Sequence, residues 1–271
     1  YSSDGEFTIA EIVDRCIKNG ITTFSITDHN SAKGNKVASQ LARKKGLNFI
    51  AGIEIDCNFE GTDLHVLGYG INYRSTDFYF LEDDIFHKTM LSFDTMIRKL
   101  NNLGFNIDGE TVVIEADGKL PTGELIAEVM LADEKYFTPL LQPYMPGGDR
   151  SDMPYINFYL DYFAQGKPAY VPIAYMSYKE AIQMIRDNGG IPIVAHPGLN
   201  LKGRETIVEQ LLEEGACGLE VFNNYHTAEQ IEYFASVVMK NNVLMTCGSD
   251  FHGKTKPLIE VGLYNFNDAY K

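Results

Sequence analysis

The 271-residue chain has no tryptophan, no C-x-x-C pair, no long apolar run and a shortage of positive charge. Its 23 Lys plus Arg stand against 37 Asp plus Glu, for a formal net charge of -14. Capture of a nucleic-acid backbone needs a basic field over many phosphates, so a long nucleic acid is not an expected partner, and an anionic ligand must be met locally. The longest stretch without a charged residue, Asn188 to Leu201, holds Pro192, Pro197 and three glycines and falls short of the ~20 apolar residues of a membrane span. No membrane partner is expected. Cys16, Cys57, Cys217 and Cys247 have neither zinc-knuckle nor disulfide-framework spacing, which fits a reducing, cytoplasmic location. A G-x-x-x-x-G-K-[ST] phosphate loop, a G-x-G-x-x-G dinucleotide turn and a G-x-S-x-G nucleophile elbow are absent, so nucleoside triphosphatase, dinucleotide and serine-hydrolase chemistry have no signature. No organic cofactor is expected.

What is present is a repeated alternation of helical and strand-like segments. Thr8 to Asn19 is amphipathic, with Ile9, Ile12, Val13 and Ile17 at helical spacing and Gly20 as its stop. Thr22 to Thr27 reads as a strand, Ser31 to Lys45 as a helix, and Leu47 to Ile55 and Leu64 to Ile71 as further strands. After a long interruption the pattern resumes with helices Tyr178 to Asp187, Arg204 to Glu214 and Ala228 to Lys240. Strands Ile191 to Ala195, Gly218 to Phe222 and Val243 to Cys247 are interleaved with them, and Ile259 to Tyr264 closes the series. Repeated β-α units predict a parallel sheet, either closed as a barrel or open and doubly wound. The interruption, residues 72–169, carries helical stretches near Asp77 to Leu103 and Glu124 to Leu131 and a Pro/Gly-rich passage from Pro139 to Gly148. It reads as a helical insertion, with 1–71 and 170–271 as the main domain, and long insertions between such units tend to sit over the substrate face.

Four of the six histidines fall at or just beyond a strand-like run: His29 in ITDHN, His196 in IVAHPG, His226 in EVFNNYH and His252 in CGSDFHG. Glu54 in IAGIEID has the same placement, and Asp250 stands beside His252. The carboxyl ends of parallel strands share one face, so these residues can converge. Imidazole and carboxylate together suit Zn, Mn or Fe, and several carboxylates favour a hydrolytic site over a structural zinc. A single histidine after a strand is more often a hydrogen-bonded core residue; it is the set that points to a metal site. His65 opens its strand and could simply pack, and His87 in EDDIFHK reads as part of a solvated helix face.

The ordered set SSDG, ITDHN, GIEI, LHVLGYG, VAHPG, EVFNNYH and GSDFHG resembles the PHP (polymerase and histidinol phosphatase) superfamily, in particular its stand-alone metal-dependent phosphoesterases. The resemblance implies an α/β fold, a distorted (β/α)7 barrel with a helical insertion, and a trinuclear site of two or three divalent ions (Mn, Zn or Fe). It would make Asp4, His29 and His252 one site, Glu54 a bridge between two metals, Asp250 a ligand to one and His65 and His196 ligands to the other. Asp28 would orient a ligand, and His226 and Lys167 would meet substrate phosphate. Relatives start with a strand ending in His-x-His; here the text begins at Tyr1, and the expectation is a trimmed first strand. Where relatives often show Arg-Pro-His, this chain has Leu120, Pro121 and Thr122. The function implied is hydrolysis of a small phosphorylated substrate, a nucleotide, nucleoside bisphosphate or short oligonucleotide end, by metal-activated water. The alternatives are a histidinol-phosphate-like or sugar-type phosphatase and a non-catalytic, metal-stabilised binding module.

Overall fold

A computed structural model describes residues 5–266. It opens with α1 (Ile9–Lys18), where the Thr8 hydroxyl accepts from the Glu11 N–H and the Glu11 carboxylate accepts from the Thr8 N–H. That reciprocal pair satisfies donors which the first turn cannot satisfy itself. Strand β1 (Thr23–Ile26), α2 (Gly34–Lys45), β2 (Asn48–Phe59) and β3 (Thr62–Tyr69) follow. Helices α3 (Thr76–Asn102), α4 (Gly109–Ala116), α5 (Gly123–Ala132) and α6 (Pro154–Tyr162) come next. The chain then forms β4 (Met176–Ser177), α7 (Tyr178–Asp187), β5 (Ile191–Val194), α8 (Pro197–Asn200), α9 (Ile207–Glu213), β6 (Gly218–Phe222), α10 (Ala228–Asn241) and β7 (Leu244–Cys247).

The strands make one mixed sheet of order β1-β2-β3-β5-β6-β7, with β4 against β2, curled into an open half-barrel. The expected all-parallel arrangement is corrected at β3. Strands β2 and β3 are antiparallel, joined by Glu60 and Gly61, both with positive φ (49° and 81°). A two-residue turn of this kind folds a strand back on itself, whereas a parallel return needs a crossover of a dozen or more residues. Strand β3 is also antiparallel to β5, and β5-β6-β7 are parallel again through their helical crossovers. The closing strand expected at Ile259 to Tyr264 does not form. Its backbone is spent on a turn, Leu263 N–H to Glu260 C=O, and on Asn19, whose amide reaches the Val261 carbonyl; Gly262 at φ 80° breaks the extended path.

Two compact units divide the described chain: 8–82, 175–250 and 259–266 carry the sheet, and 5–7, 83–174 and 251–258 carry the helical block. The helical unit has its own core, in which Phe93, Leu100, Phe105, Ile126, Leu141 and Phe158 are buried. The sequence reading places the insertion at 72–169; the compact helical unit runs over 83–174, because the first turns of α3 pack with the sheet unit.

Candidate metal centre

Parallel pairing brings the ends of β1 and β2 to one edge, where His29 bridges to Glu54. His65 reaches the same edge from near the start of its strand. Because β3 runs antiparallel, its beginning lies where the other strands end, and His65 pairs directly with Asp56. His196 follows β5, Glu220 and Asn223 come from the end of β6, and Asp250 lies beyond β7.

Glu54, 4% exposed, is the common acceptor. Its Oε1 lies 2.8 Å from His65 Nδ1 and 3.0 Å from His196 Nε2, and its Oε2 lies 3.7 Å from His29 Nε2. Ligand atoms of His29, Glu54 and His65 lie within 4.8 Å of one another, close enough to hold one divalent ion. His29 and His65 meet edge-on, with ring centroids 4.9 Å apart, and His65 and His196 do so at 5.0 Å. Burial works to raise the Glu54 carboxyl, but the charges of His29 and His65 and the bonds from His196 and His65 outweigh it and hold it well below the ordinary range. His196 moves the other way. Burial works to lower it, yet its bond to Glu54 and the charge of Glu54 bring it up to about 9.

Two of the imidazoles are also held from behind. His29 Nδ1 donates to Asp56 Oδ1 at 2.8 Å, leaving Nε2 towards Glu54. Asn30 clasps Asp56 twice, its Nδ2 donating to Oδ2 and its Oδ1 accepting the Asp56 N–H. His196 Nδ1 donates to Asn200 Oδ1 at 2.7 Å, and the His196 N–H donates to Glu220 Oε2 at 2.9 Å. Such partners fix the ring and tautomer of a ligating histidine. The backbone is strained at the same places: Asn30, His196 and Asp250 sit at φ 52°, 23° and 54°. Left-handed non-glycine residues cost about 1–3 kcal/mol each and persist only where their surroundings impose them.

The other sequence candidates are placed as follows. Asp250 accepts from the Tyr225 hydroxyl at 2.7 Å. Asp28 gives its carbonyl to the Glu54 N–H, and its Oδ2 packs so tightly on Gly34 that a Cβ there would stand at 2.9 Å. His226 is 2% exposed; its Nδ1 donates to the Val221 carbonyl and its Nε2 accepts the Gly198 N–H. Both ring nitrogens are thereby used, and meeting a phosphate would require one bond to open. Lys167 is exposed in the helical unit, and His252 precedes a short turn at Gly253–Thr255 in that unit. Asp4 lies outside the described residues. His87, 72% exposed, faces Asp83 one turn away on α3, as a solvated helix face should.

Sequence reasoning passed over Asp56, Asn200, Glu220, Asn223 and Tyr225. Asp56 had a signal: strand side chains alternate, so the residue two beyond Glu54 shares its face. Glu220 had one as well, a lone acid within the apolar run GLEVF. Burial pushes its carboxyl up to about 7, in spite of His196, which works to lower it.

The PHP domain family matches residues 1–137, just over half of the chain. A 3',5'-nucleoside bisphosphate phosphatase of Chromobacterium violaceum is 24% identical over 268 residues, covering 96% of this chain and 87% of its own length. The 5'-3' exoribonuclease Rnm of Escherichia coli is 26% identical over 267 residues, covering 96% and 85%. Among solved structures, an amidohydrolase from Chromobacterium violaceum, with bound sulfate and no metal, superposes with a TM-score of 0.79 at 23% identity, covering 97% of this chain and 87% of that one.

Proposed function

The chain belongs to the PHP domain family, and on that premise we propose that it hydrolyses a small phosphorylated substrate, a nucleotide, nucleoside bisphosphate or short oligonucleotide end, at a site of two or three divalent ions. It is a hydrolase acting on phosphate esters. The observation that carries the reading is one buried carboxylate, Glu54, met by His29, His65 and His196 from three different strands. Imidazole nitrogens and carboxylate oxygens fit Zn, Mn or Fe. Asp4, Asp250 and His252 complete the proposed ligand set.

Divalent ions at such a site, when bound, bring a coordinated water's pKa towards neutrality and clamp phosphoryl oxygens for in-line displacement. The chain's own residues do the positioning. Asp56 holds the Nδ1 proton of His29 so that Nε2 turns towards Glu54, and Asn200 does the same for His196. Lys167 is our candidate for a second phosphate charge. His226 is assigned to bracing the strand ends, where both of its ring nitrogens are engaged. The preference for a nucleotide is supported by the phosphatase and exoribonuclease among the relatives and by the net charge of -14, which disfavours a long polyanion. The unpaired cysteines support a reducing, cytoplasmic setting. No helix of the described residues is long and apolar enough to cross a membrane.

The test is a substrate panel with Mn or Zn: nucleoside 3',5'-bisphosphates, short oligoribonucleotides, histidinol phosphate and sugar phosphates. Turnover is expected on the first two, stopped by a chelator and lowered on the order of a thousandfold by Glu54→Ala, equivalent to about 4 kcal/mol of transition-state stabilisation. Preference for histidinol phosphate or a sugar phosphate would reassign the substrate. Metal binding with no turnover on any of them would favour a binding module, and undiminished activity in Glu54→Ala would reject the site.

A further inference from the structure

Every residue of β6 is buried, yet one of them carries a carboxylate. Glu220 is 4% exposed, in a position where an apolar side chain would serve the sheet better, since a buried carboxylate loses its water and must recover that loss from its surroundings. Its contacts lead towards the metal centre. Oε2 accepts the main-chain N–H of His196 at 2.9 Å and the Asn223 side-chain N–H at 3.0 Å. Asn223 in turn accepts the Tyr225 N–H at 3.1 Å, and the Tyr225 hydroxyl donates to Asp250 at 2.7 Å. On its other side, Oε1 lies so close to Gly248 that a Cβ there would stand at 2.1 Å, so the strand leading to Asp250 is fitted around this carboxylate. One acid therefore holds the strained turn at His196 directly and reaches Asp250 through Asn223 and Tyr225.

We propose that Glu220 is a positioning residue which sets His196 and Asp250, from β5 and β7, in their places at the metal centre. It works as a hydrogen-bond acceptor: without it the His196 N–H loses its partner and the left-handed turn loses what imposes it. The assignment rests on the reading of His196 and Asp250 as ligands, and it extends that reading to a residue which is itself no ligand.

Calorimetric titration with Mn tests it in wild type, Glu220→Ala, Glu220→Gln and Tyr225→Phe, alongside hydrogen exchange of the His196 amide in chelated protein. Glu220→Ala is expected to weaken Mn binding about 10–100-fold and to expose the His196 amide to exchange. Glu220→Gln, whose amide oxygen still accepts, should restore both to within a fewfold of wild type, a rescue that bulk stability alone would not give. Tyr225→Phe, which removes one hydroxyl, should weaken Mn binding by a smaller factor and leave the His196 amide protected; it carries the test if Glu220→Ala does not fold. Wild-type Mn affinity in a folded Glu220→Ala, or in Tyr225→Phe when that variant stands alone, overturns the assignment. Equal losses in the Ala and Gln variants overturn the acceptor role. Absence of Mn binding by the wild type would overturn the proposed function together with this inference, whereas normal wild-type binding with unaffected variants would overturn this inference alone.

Discussion

In the helical unit the interior is aromatic: Phe158 packs on Phe105, Tyr144 and Tyr162 with ring centroids 4.6–5.3 Å apart, and its polar brace, Arg150 to Asp161, is more than a third exposed on each side. In the sheet unit the interior beneath the strand ends is polar and partly ionic, with Glu54, His196, Glu220, Asn223 and His226 all buried. The first kind of core gains by removing apolar surface from water and tolerates substitution of similar volume. The second gains little from its charges and holds only because each is hydrogen-bonded, so it trades stability for a fixed arrangement of donors. Stability and site geometry should therefore respond to different mutations.

The largest expected effect lies in the aromatic core. Phe158→Ala should cost about 3–5 kcal/mol of stability, as large aromatic truncations do, while Mn stoichiometry measured well below the melt stays at the wild-type value. A loss of metal sites in the folded variant would break the contrast between the units. Next comes the pH response of the ionic core. Burial pulls His226 down to about 4 from an ordinary value of 6.5, so the unfolded chain binds more protons between those values. Its contribution is complete above about pH 6.5 and is lost as pH falls towards 4, by about 3 kcal/mol. Urea unfolding of chelated wild type and His226→Phe across that window measures it, and equal pH slopes in the two proteins would refute it. Asp56→Ala should weaken Mn binding about 10–100-fold by freeing His29 Nδ1, seen by the same titration. The smallest effect is expected for Arg150→Ala, whose part-exposed ion pair should be worth at most about 1 kcal/mol; a larger shift in the urea midpoint would mean that the helical unit also depends on charge.

Much of this was readable as text. The capping boxes at Thr8, Ser177 and Thr227 and the helical spacing after them mark α1, α7 and α10, because caps and amphipathic faces are local. Histidines at strand ends were visible for the same reason. The reversal at β3 was not, since Glu60 and Gly61 declare a tight turn only once the strands on either side extend to meet it. That reversal is what carries His65, near the start of its strand, to the edge where the parallel strands end. Likewise Ile259 to Tyr264 has strand-like composition, but Arg15 and Asn19, distant in sequence, claim its Glu260 carboxylate and Val261 carbonyl.

The inventory, an acidic chain of β-α units with imidazole and carboxylate at the strand ends, is local, since periodicity and spacing are properties of the chain alone. The fold settled which of those groups hydrogen-bond to one another and which spend their nitrogens on bracing, as His226 does. It also brought Asp56 and Glu220 behind the imidazoles. Those outcomes depend on burial and on contacts between residues up to 142 positions apart, as Glu54 and His196 are, and water's absence at that depth is what makes each hydrogen bond obligatory.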